Sequence, residues 1–221
     1  SEIVVQKFGG TSVGTVDRID SVAEIIKNAS KSNQIVVVVS AMGGETNRLV
    51  DLAKAFGDDP DKREFDALVS TGETVSSALL TMALHSKGIK AKSFSASQIS
   101  MRTTSSYSKA KILDVDAKKI LDVIDSDTIP IITGFQGVTE GGDVTTLGRG
   151  GSDTTAVAIA AQIDAVRCDI YTDVDGIFTT DPGVVPNAKK LDSITMEEML
   201  ELAGQGLSLI HISEPTRPIA I

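Results

Sequence analysis

Two glycine-rich segments carry the residues of this chain that are best suited to bind an anion. The first is Lys7-Phe8-Gly9-Gly10-Thr11-Ser12, and the second is Gly148-Arg149-Gly150-Gly151-Ser152-Asp153. Adjacent glycines let the backbone approach a phosphate closely and direct peptide N–H groups toward it. A lysine beside such a loop supplies a mobile positive charge that suits a phosphoryl group in transfer. The two segments therefore predict a phosphoryl-transfer site.

The first segment has a second interpretation that the residues alone leave about equally open. A glycine turn between a strand and a helix, with Lys7 merely exposed, has the same sequence. The segment is not a Walker A loop, because the pattern G-x-x-x-x-G-K-S/T is absent from the chain. The glycines at 9, 10 and 14 also do not fit the dinucleotide pattern G-x-G-x-x-G.

The second segment surrounds one arginine with glycines. Arg149 is thereby suited to clamp a carboxylate through two parallel hydrogen bonds. Ser152 is predicted to N-cap the Ala-rich helix that follows. Asp153 in the first turn is favoured by the helix dipole, or it holds a catalytic lysine or magnesium in place. The density of glycine around Arg149 favours a functional role for this loop.

A third cluster is the acidic turn that follows a strand-like run beginning at Cys168. Its carboxylates stand at positions 173, 175 and 181. They could contact ATP–Mg²⁺, because hard cations prefer oxygen ligands. Asp-Gly and Asp-Pro are also common turn pairs, and the spacing alone favours a structural turn.

Strand-like and helix-like segments alternate along the chain. Strands are predicted at 3–8, 35–40, 90–95, 128–134 and 166–173, and the one at 35–40 is a continuous aliphatic run. Helical spacing predicts helices at 16–29, 46–56, 62–70, 73–87, 115–125, 154–163 and 196–203. Residues 98–111 are predicted to be irregular, and 141–143 to form a tight turn. The alternation predicts an α/β fold, a three-layer αβα sandwich with a largely parallel central sheet. The first glycine loop is then expected at the carboxyl end of the strand 3–8, where such sheets bind ligands.

Composition and charge narrow the classes of partner. The net charge of −9 over 221 residues argues against nucleic acid, which rewards clustered Lys and Arg. The single cysteine, Cys168, fits a reducing compartment and is expected to be buried in a strand. The longest aliphatic run, 35–39, is far shorter than the roughly 20 residues of a membrane helix, and no signal peptide is visible. These features predict a cytoplasmic protein that does not enter a membrane.

Together the three clusters resemble the catalytic domain of the aspartate kinases, within the amino acid kinase family. The likeness runs from Val4 to about Ala203. Further matching motifs are Ser40-Ala41-Met42-Gly43, Ser70-Thr71-Gly72-Glu73, Gly134-Phe135-Gln136-Gly137 and residues 197–203. The Lys7 loop would also suit carbamate, acetylglutamate, glutamate 5- or uridylate kinases. The loop from Thr146 to Asp153 is what points to aspartate.

The resemblance implies transfer of the γ-phosphate of ATP, with Mg²⁺, to the side-chain carboxylate of L-aspartate. The product would be 4-phospho-L-aspartate, on the way to lysine, threonine and methionine. Lys7 would stabilise charge on the phosphoryl group, and Asp153 would organise the catalytic centre. Nucleotide binding would fall to Lys7, Gly9, Gly10, Ser40, Thr172, Asp173 and Phe178. Aspartate would be bound by Thr46, Glu73, Arg149, Gly150, Gly151 and Ser152. Of these, Glu73 would take its ammonium and Arg149 a carboxylate, and no metal ligands of the protein's own are expected. The alternatives are a family member with another acceptor and an inactive fragment that binds nucleotide.

The chain departs from the family pattern at three places. Gly183 stands where the family usually has an arginine, which predicts weaker ATP binding. Tyr107-Ser108-Lys109 replaces a stretch that commonly contains histidine, so a substrate role there is not carried over. Residues 1–204 are predicted to be a C-terminally shortened catalytic domain and 205–221 a non-native, poorly ordered tail, without the ACT regulatory domains. A homodimer weakened by this shortening is the expected assembly.

Overall fold

The computed structural model describes residues 1–148, 151–174 and 188–190, and only the backbone of 172–174 and 188–190. Several predictions concern residues outside this part of the chain. They are the roles of Arg149, Gly150 and Phe178, the effect of Gly183, the acidic turn beyond 174, the helix at 196–203 and the tail at 205–221.

Ten strands and six α-helices make up the described chain. The strands are β1 (Ile3–Phe8), β2 (Gln34–Val39), β3 (Ala91–Phe94), β4 (Arg102–Thr103), β5 (Ile112–Asp114), β6 (Ile129–Thr133), β7 (Gln136–Val138), β8 (Val144–Thr146), β9 (Arg167–Val174) and β10 (Ala188–Lys190). The helices are α1 (Val16–Ala29), α2 (Glu45–Ala53), α3 (Lys62–Val69), α4 (Thr71–Ser86), α5 (Ala117–Asp125) and α6 (Gly151–Gln162). A 3₁₀ turn, Lys54–Phe56, continues α2.

The central sheet has six strands in the order β10-β9-β1-β2-β6-β3. Every neighbouring pair is parallel except β9–β10, which is antiparallel. Strands β1 and β2 lie at the middle and are almost wholly buried, which explains the continuous aliphatic run of β2. Their carboxyl ends open onto the first glycine loop and the loop that follows Ser40.

Alternate residues of these strands build two separate cores. Val37 and Val39 of β2 pack in the core that contains α1 and α4. Val36 and Val38 pack in the core that contains α5 and α6. Helices therefore cover both faces of the sheet, and the predicted three-layer αβα sandwich is confirmed.

A second sheet of four short strands, in the order β5-β4-β7-β8, was not predicted. The prediction that 98–111 is irregular was wrong at β4, and the turn at 141–143 proves to connect the antiparallel hairpin β7–β8. These strands are two or three residues long, too short for an alternating pattern to emerge from the sequence.

The helical stretch Lys62–Ser86 is long and apolar enough to cross a membrane by length and composition alone. Half of its apolar part is buried inside the protein, and it contains the buried carboxyl groups of Asp66 and Glu73. The stretch comprises α3 and α4, and α4 packs against α1 and the sheet. Its apolar character is therefore that of a core element.

Candidate active site

The carboxyl end of β1 brings Lys7 to the middle of the sheet edge. Lys7 lies in register with Val38 of β2 and Ile170 of β9. Beyond the strand, the N–H of Gly9 donates to the Tyr171 carbonyl at 3.3 Å, and that of Ser40 donates to the Phe8 carbonyl at 3.0 Å. The ends of three parallel strands are thus tied together beneath the first glycine loop.

Lys7 forms an ion pair with Asp153. Its Nζ lies 2.8 Å from a carboxylate oxygen of Asp153, and the two side chains are 11% and 32% exposed. Asp153 is in the first turn of α6, which packs against β1. Of the two interpretations that the sequence left open for Asp153, the contact with a candidate catalytic lysine is therefore realised in the structure. The dipole of α6 favours the same carboxylate.

A cleft of about 600 Å³ opens at this edge of the sheet. Eight of the predicted site residues line it, namely Lys7, Gly10, Ser40, Thr46, Glu73, Gly151, Ser152 and Asp153. The other lining residues, to which the sequence assigned no ligand-binding role, are Ala41, Met42, Gly43, Gly44, Ser108, Phe135, Leu147 and Gly148. The cleft therefore joins both glycine segments, which are distant in sequence.

Glu73 is a buried acid in the first turn of α4, and its residue surface is only 2% exposed. Burial raises the pKa of its carboxyl to about 7, against the opposing effect of the backbone N–H groups of Glu73 and Ala41. One of the two carboxyl oxygens of Glu73, Oε2, has no hydrogen-bond partner among the described residues. An ammonium group of a ligand would offset this burial, because an opposite charge stabilises the ionised form.

The floor of the cleft is built where two glycine turns touch backbone to backbone. A β-carbon on Gly10 would lie 3.0 Å from the Ala41 carbonyl oxygen, and one on Gly43 would lie 3.2 Å from the Gly10 carbonyl oxygen. Side chains at these positions would push the turns apart. The sequence shows both turns but not their contact, which depends on the parallel pairing of β1 with β2.

Phe135 and Ser108 line one wall of the cleft with left-handed backbone conformations, at φ 69° and 66°. Such angles are uncommon for residues other than glycine and persist where surrounding contacts enforce them. The Phe135 N–H donates to the Thr155 hydroxyl at 3.1 Å, and its carbonyl accepts from the Leu147 N–H at 2.8 Å. The sequence carries no signal for this geometry.

The prediction that Ser152 caps α6 was wrong. The helix begins at Gly151, so Ser152 lies within its first turn and lines the cleft. A β-carbon on Gly151 would overlap the Phe135 ring, and one on Gly134 would lie 2.8 Å from the Ser152 hydroxyl oxygen. Ser152 is therefore inside the helix, and the glycine at 151 permits a close approach to the wall of the cleft.

The family model for the amino acid kinase family matches residues 2–213 of this chain. The chain belongs to the amino acid kinase family. It is 54% identical over 211 residues to an aspartate kinase of Pseudomonas putida, with 95% of this chain and 51% of that protein covered. It is also 54% identical over 210 residues to the aspartokinase of Geobacillus stearothermophilus, with 95% and 52% covered. The chain thus spans about half the length of the curated relatives it matches.

A solved structure of this kinase family agrees with the fold. The E. coli aspartokinase III, in complex with aspartate and ADP in its R-state, has a TM-score of 0.72 and is 31% identical. The match covers 92% of this chain and 56% of that one. The resemblance to aspartate kinase catalytic domains that the motifs indicated is therefore confirmed.

The remaining predicted residues of this amino acid kinase are outside the lining of the cleft or outside the described chain. Gly9 is next to the Lys7 ammonium, since a β-carbon there would be 3.4 Å from Nζ. Thr172 and Asp173 belong to β9, of which the backbone is described at these positions. Cys168 is buried in the same strand as predicted, and burial raises the pKa of its thiol.

Proposed function

We propose that this amino acid kinase transfers the γ-phosphoryl group of ATP to the side-chain carboxylate of L-aspartate. The product would be 4-phospho-L-aspartate, which leads toward lysine, threonine and methionine. The observation that carries the proposal is that the Lys7–Asp153 pair and the buried acid Glu73 line the same cleft. Relatives at 54% identity that are aspartate kinases support aspartate as the acceptor.

The phosphates of ATP would bind at the first glycine loop. Its backbone and that of Gly43 approach each other without side chains, so peptide groups are available to a phosphate. Lys7 would hold the γ-phosphoryl group, with Gly9, Gly10 and Ser40 around the phosphates. Thr172, Asp173 and Phe178 would contact the nucleotide from β9 and the segment after it.

L-aspartate would bind on the other side of Lys7. Glu73 would accept its ammonium, because this carboxyl is buried and gains from a cationic partner. Thr46 would add a hydroxyl from the first turn of α2. Arg149 would clamp a carboxylate, and Gly150, Gly151 and Ser152 would provide backbone contacts at the start of α6.

The chemistry needs little from the protein beyond position and charge. A side-chain carboxylate is ionised at neutral pH, so no base has to remove a proton from it. One of its oxygens bonds to the γ-phosphorus as the bond between that phosphorus and the β,γ-bridging oxygen breaks, and ADP leaves. Lys7 would stabilise the charge on the transferring group, and Asp153 would keep the lysine ammonium oriented.

Mg²⁺ is expected to enter with ATP. Within the described part of the chain, no group of three or more His, Cys, Asp and Glu side chains could hold a metal ion. Asp153, which lines the cleft, is already paired with Lys7. This donor set fits a metal carried mainly by phosphate oxygens and water, which is how Mg²⁺ commonly binds. When bound, Mg²⁺ would neutralise charge on the phosphates.

An ADP-release assay across several acceptors tests the proposal. Aspartate should support turnover, whereas glutamate, acetylglutamate, carbamate and UMP should not. Trapping the product with hydroxylamine separates an acyl phosphate from ATP hydrolysis, since only an acyl phosphate yields a hydroxamate. Turnover with another acceptor alone would reassign the substrate. ATP binding by calorimetry without ADP release from any acceptor would favour the inactive nucleotide-binding fragment.

A further inference from the structure

Asp66 is a buried carboxylate that joins three segments of the chain. It lies on α3 and is 0% exposed. One of its oxygens accepts the backbone N–H groups of Ser108 and Thr146, both at 2.8 Å. The other accepts the hydroxyls of the same residues, at 3.0 Å and 2.8 Å. Four hydrogen bonds from neutral donors offset the desolvation of this charge, so removing it would leave several groups unpaired.

Ser108 is the first of the two residues that Asp66 holds. Its φ of 66° lies in the left-handed region, which is unfavourable for a residue with a β-carbon. Both its N–H and its hydroxyl are bound to Asp66. The same residue lines the cleft. A strained conformation at the wall of the site is thus held by a carboxylate that does not itself line the cleft.

Thr146 is the second residue that Asp66 holds, and the chain enters the lining of the cleft directly after it. It ends β8, and the next two residues, Leu147 and Gly148, both line the cleft. The Ala110 N–H donates to the Thr146 carbonyl at 3.0 Å, and a β-carbon on Gly148 would lie 4.0 Å from the Lys109 α-carbon. The Ser108 segment and the start of the second glycine loop therefore lie side by side, and Asp66 fixes both.

This wall lies away from the proposed nucleotide side. In the central sheet, β9 and β6 flank the β1–β2 pair on opposite sides. The proposed nucleotide contacts at Thr172 and Asp173 are on β9. Phe135, which follows β6, is hydrogen-bonded to Leu147 next to Thr146. A change at this wall should thus affect the acceptor more than ATP.

We propose that Asp66 is a positioning residue for the acceptor substrate. Through Ser108 and Thr146 it sets the shape of the acceptor wall and the starting point of the loop that carries Arg149. The inference rests on the proposed function for the identity of the acceptor. It assigns Ser108 a place at the acceptor wall, in a stretch where the sequence alone gave no reason to expect one.

The test compares the KM for aspartate with the KM for ATP in variants of the full chain. Asp66→Ala should raise the KM for aspartate by about tenfold or more, because hydrogen bonds to a charged group hold the wall. The KM for ATP should stay within about twofold. Asp66→Asn should be milder, since an amide can still accept from the two N–H groups and donate to the two hydroxyls. An equal rise in both constants, or unchanged constants, would overturn the proposal.

A matched pair at Ser108 covers the case in which Asp66→Ala does not fold. Ser108→Gly and Ser108→Ala both remove the hydroxyl, but only glycine adopts the left-handed conformation freely. The alanine variant should have an aspartate KM about fivefold above that of the glycine variant. Equal values in the two variants would refute a role for the enforced conformation.

The wild-type chain separates this inference from the proposed function. If it does not phosphorylate aspartate, the proposed function fails, and amide hydrogen exchange then decides the role of Asp66. Exchange at Ser108 and Thr146 should be much faster in Asp66→Ala, which removes the acceptor of both N–H groups, than in the wild type, while amides of β1 and β2 keep their protection. Unchanged exchange at both positions would overturn the positioning role.

Discussion

The ammonium of Lys7 lies 2.8 Å from a carboxylate oxygen of Asp153, although one residue is near the end of the first strand and the other is in the first turn of the last described helix. The pair is partly buried, so water screens it less than an exposed pair. Asp153 restricts the lysine to one side of the cleft and leaves its remaining N–H donors for a phosphoryl group. This contact is the geometric basis for the catalytic roles proposed for both residues.

Lys7→Ala should reduce kcat by about two to three orders of magnitude, which is typical for the loss of a group that stabilises transition-state charge. Asp153→Asn should lower kcat less, because the lysine remains but loses its orienting partner. ADP release at saturating ATP and aspartate measures both. Thermal unfolding should show that each variant folds. The control is Lys118→Ala, which removes an exposed lysine paired with Asp122 on α5 and should leave kcat unchanged. Wild-type turnover in Lys7→Ala would refute the catalytic role.

The raised pKa of Glu73 predicts a pH dependence of aspartate binding. The carboxyl has a pKa of about 7, and it must be ionised to pair with an ammonium. The value of kcat/KM for aspartate should therefore fall as the pH is lowered below about 7, approaching tenfold per pH unit. Free aspartate does not change its charge between pH 6 and 8, so the effect would report the protein. In Glu73→Gln, kcat/KM for aspartate should not vary with pH over this range. Its value at pH 8 should be lower than that of the wild type.

The same carboxyl should make folding stability depend on pH. Its pKa is raised from 4.5 to about 7 in the folded protein, so the folded state binds more protons than the unfolded state between these values. The contribution of Glu73 to stability is therefore full below about pH 4.5 and is lost as the pH rises toward 7 and above. Urea unfolding of the wild type and of Glu73→Gln at pH 5 and 8 measures it. The glutamine variant should gain stability relative to the wild type at pH 8, and an opposite sign would contradict the assigned pKa.

Gly10→Ala should weaken ATP binding. The added β-carbon would lie 3.0 Å from the Ala41 carbonyl oxygen, so the two turns at the floor of the cleft must separate. Calorimetric titration with ATP should show a loss of about tenfold or more, because misplaced loop groups would no longer meet the phosphates. Gly141→Ala is the control, since a β-carbon there meets only the Thr139 hydroxyl oxygen, at 3.8 Å. Similar ATP affinities for the two variants would contradict the proposed close packing.

Gly183→Arg should strengthen ATP binding. The resemblance implies that family members commonly carry an arginine at this position, and a guanidinium can bind phosphate through two hydrogen bonds. The comparison of ATP affinity between the native chain and Gly183→Arg by calorimetry tests this expectation. No gain in the variant would refute it, and Gly183→Ala controls for the loss of glycine flexibility.

The sequence predicted the strands and helices that have a clear hydrophobic pattern. The strands at 3–8 and 128–134 and the helix at 16–29 lie where aliphatic runs or helical spacing put them. The short strands β4, β5, β7 and β8 were missed, because they are held by pairing with each other and not by a local pattern. The N-cap expected at Ser152 failed because that residue lies inside α6, where the neighbouring Gly151 packs against Phe135 in a contact that no local pattern shows.

The sequence by itself determined the layered α/β architecture, the two glycine loops and half of the residues that line the cleft. Composition, periodicity and motif spacing are properties of the sequence, and they can be determined without knowledge of the fold. Only the tertiary structure brought Lys7 to Asp153, buried Glu73 and connected Asp66 to Ser108 and Thr146. These relationships join residues that are distant along the chain. Strand order and helix packing decide which distant residues meet, and no short stretch of sequence encodes that arrangement.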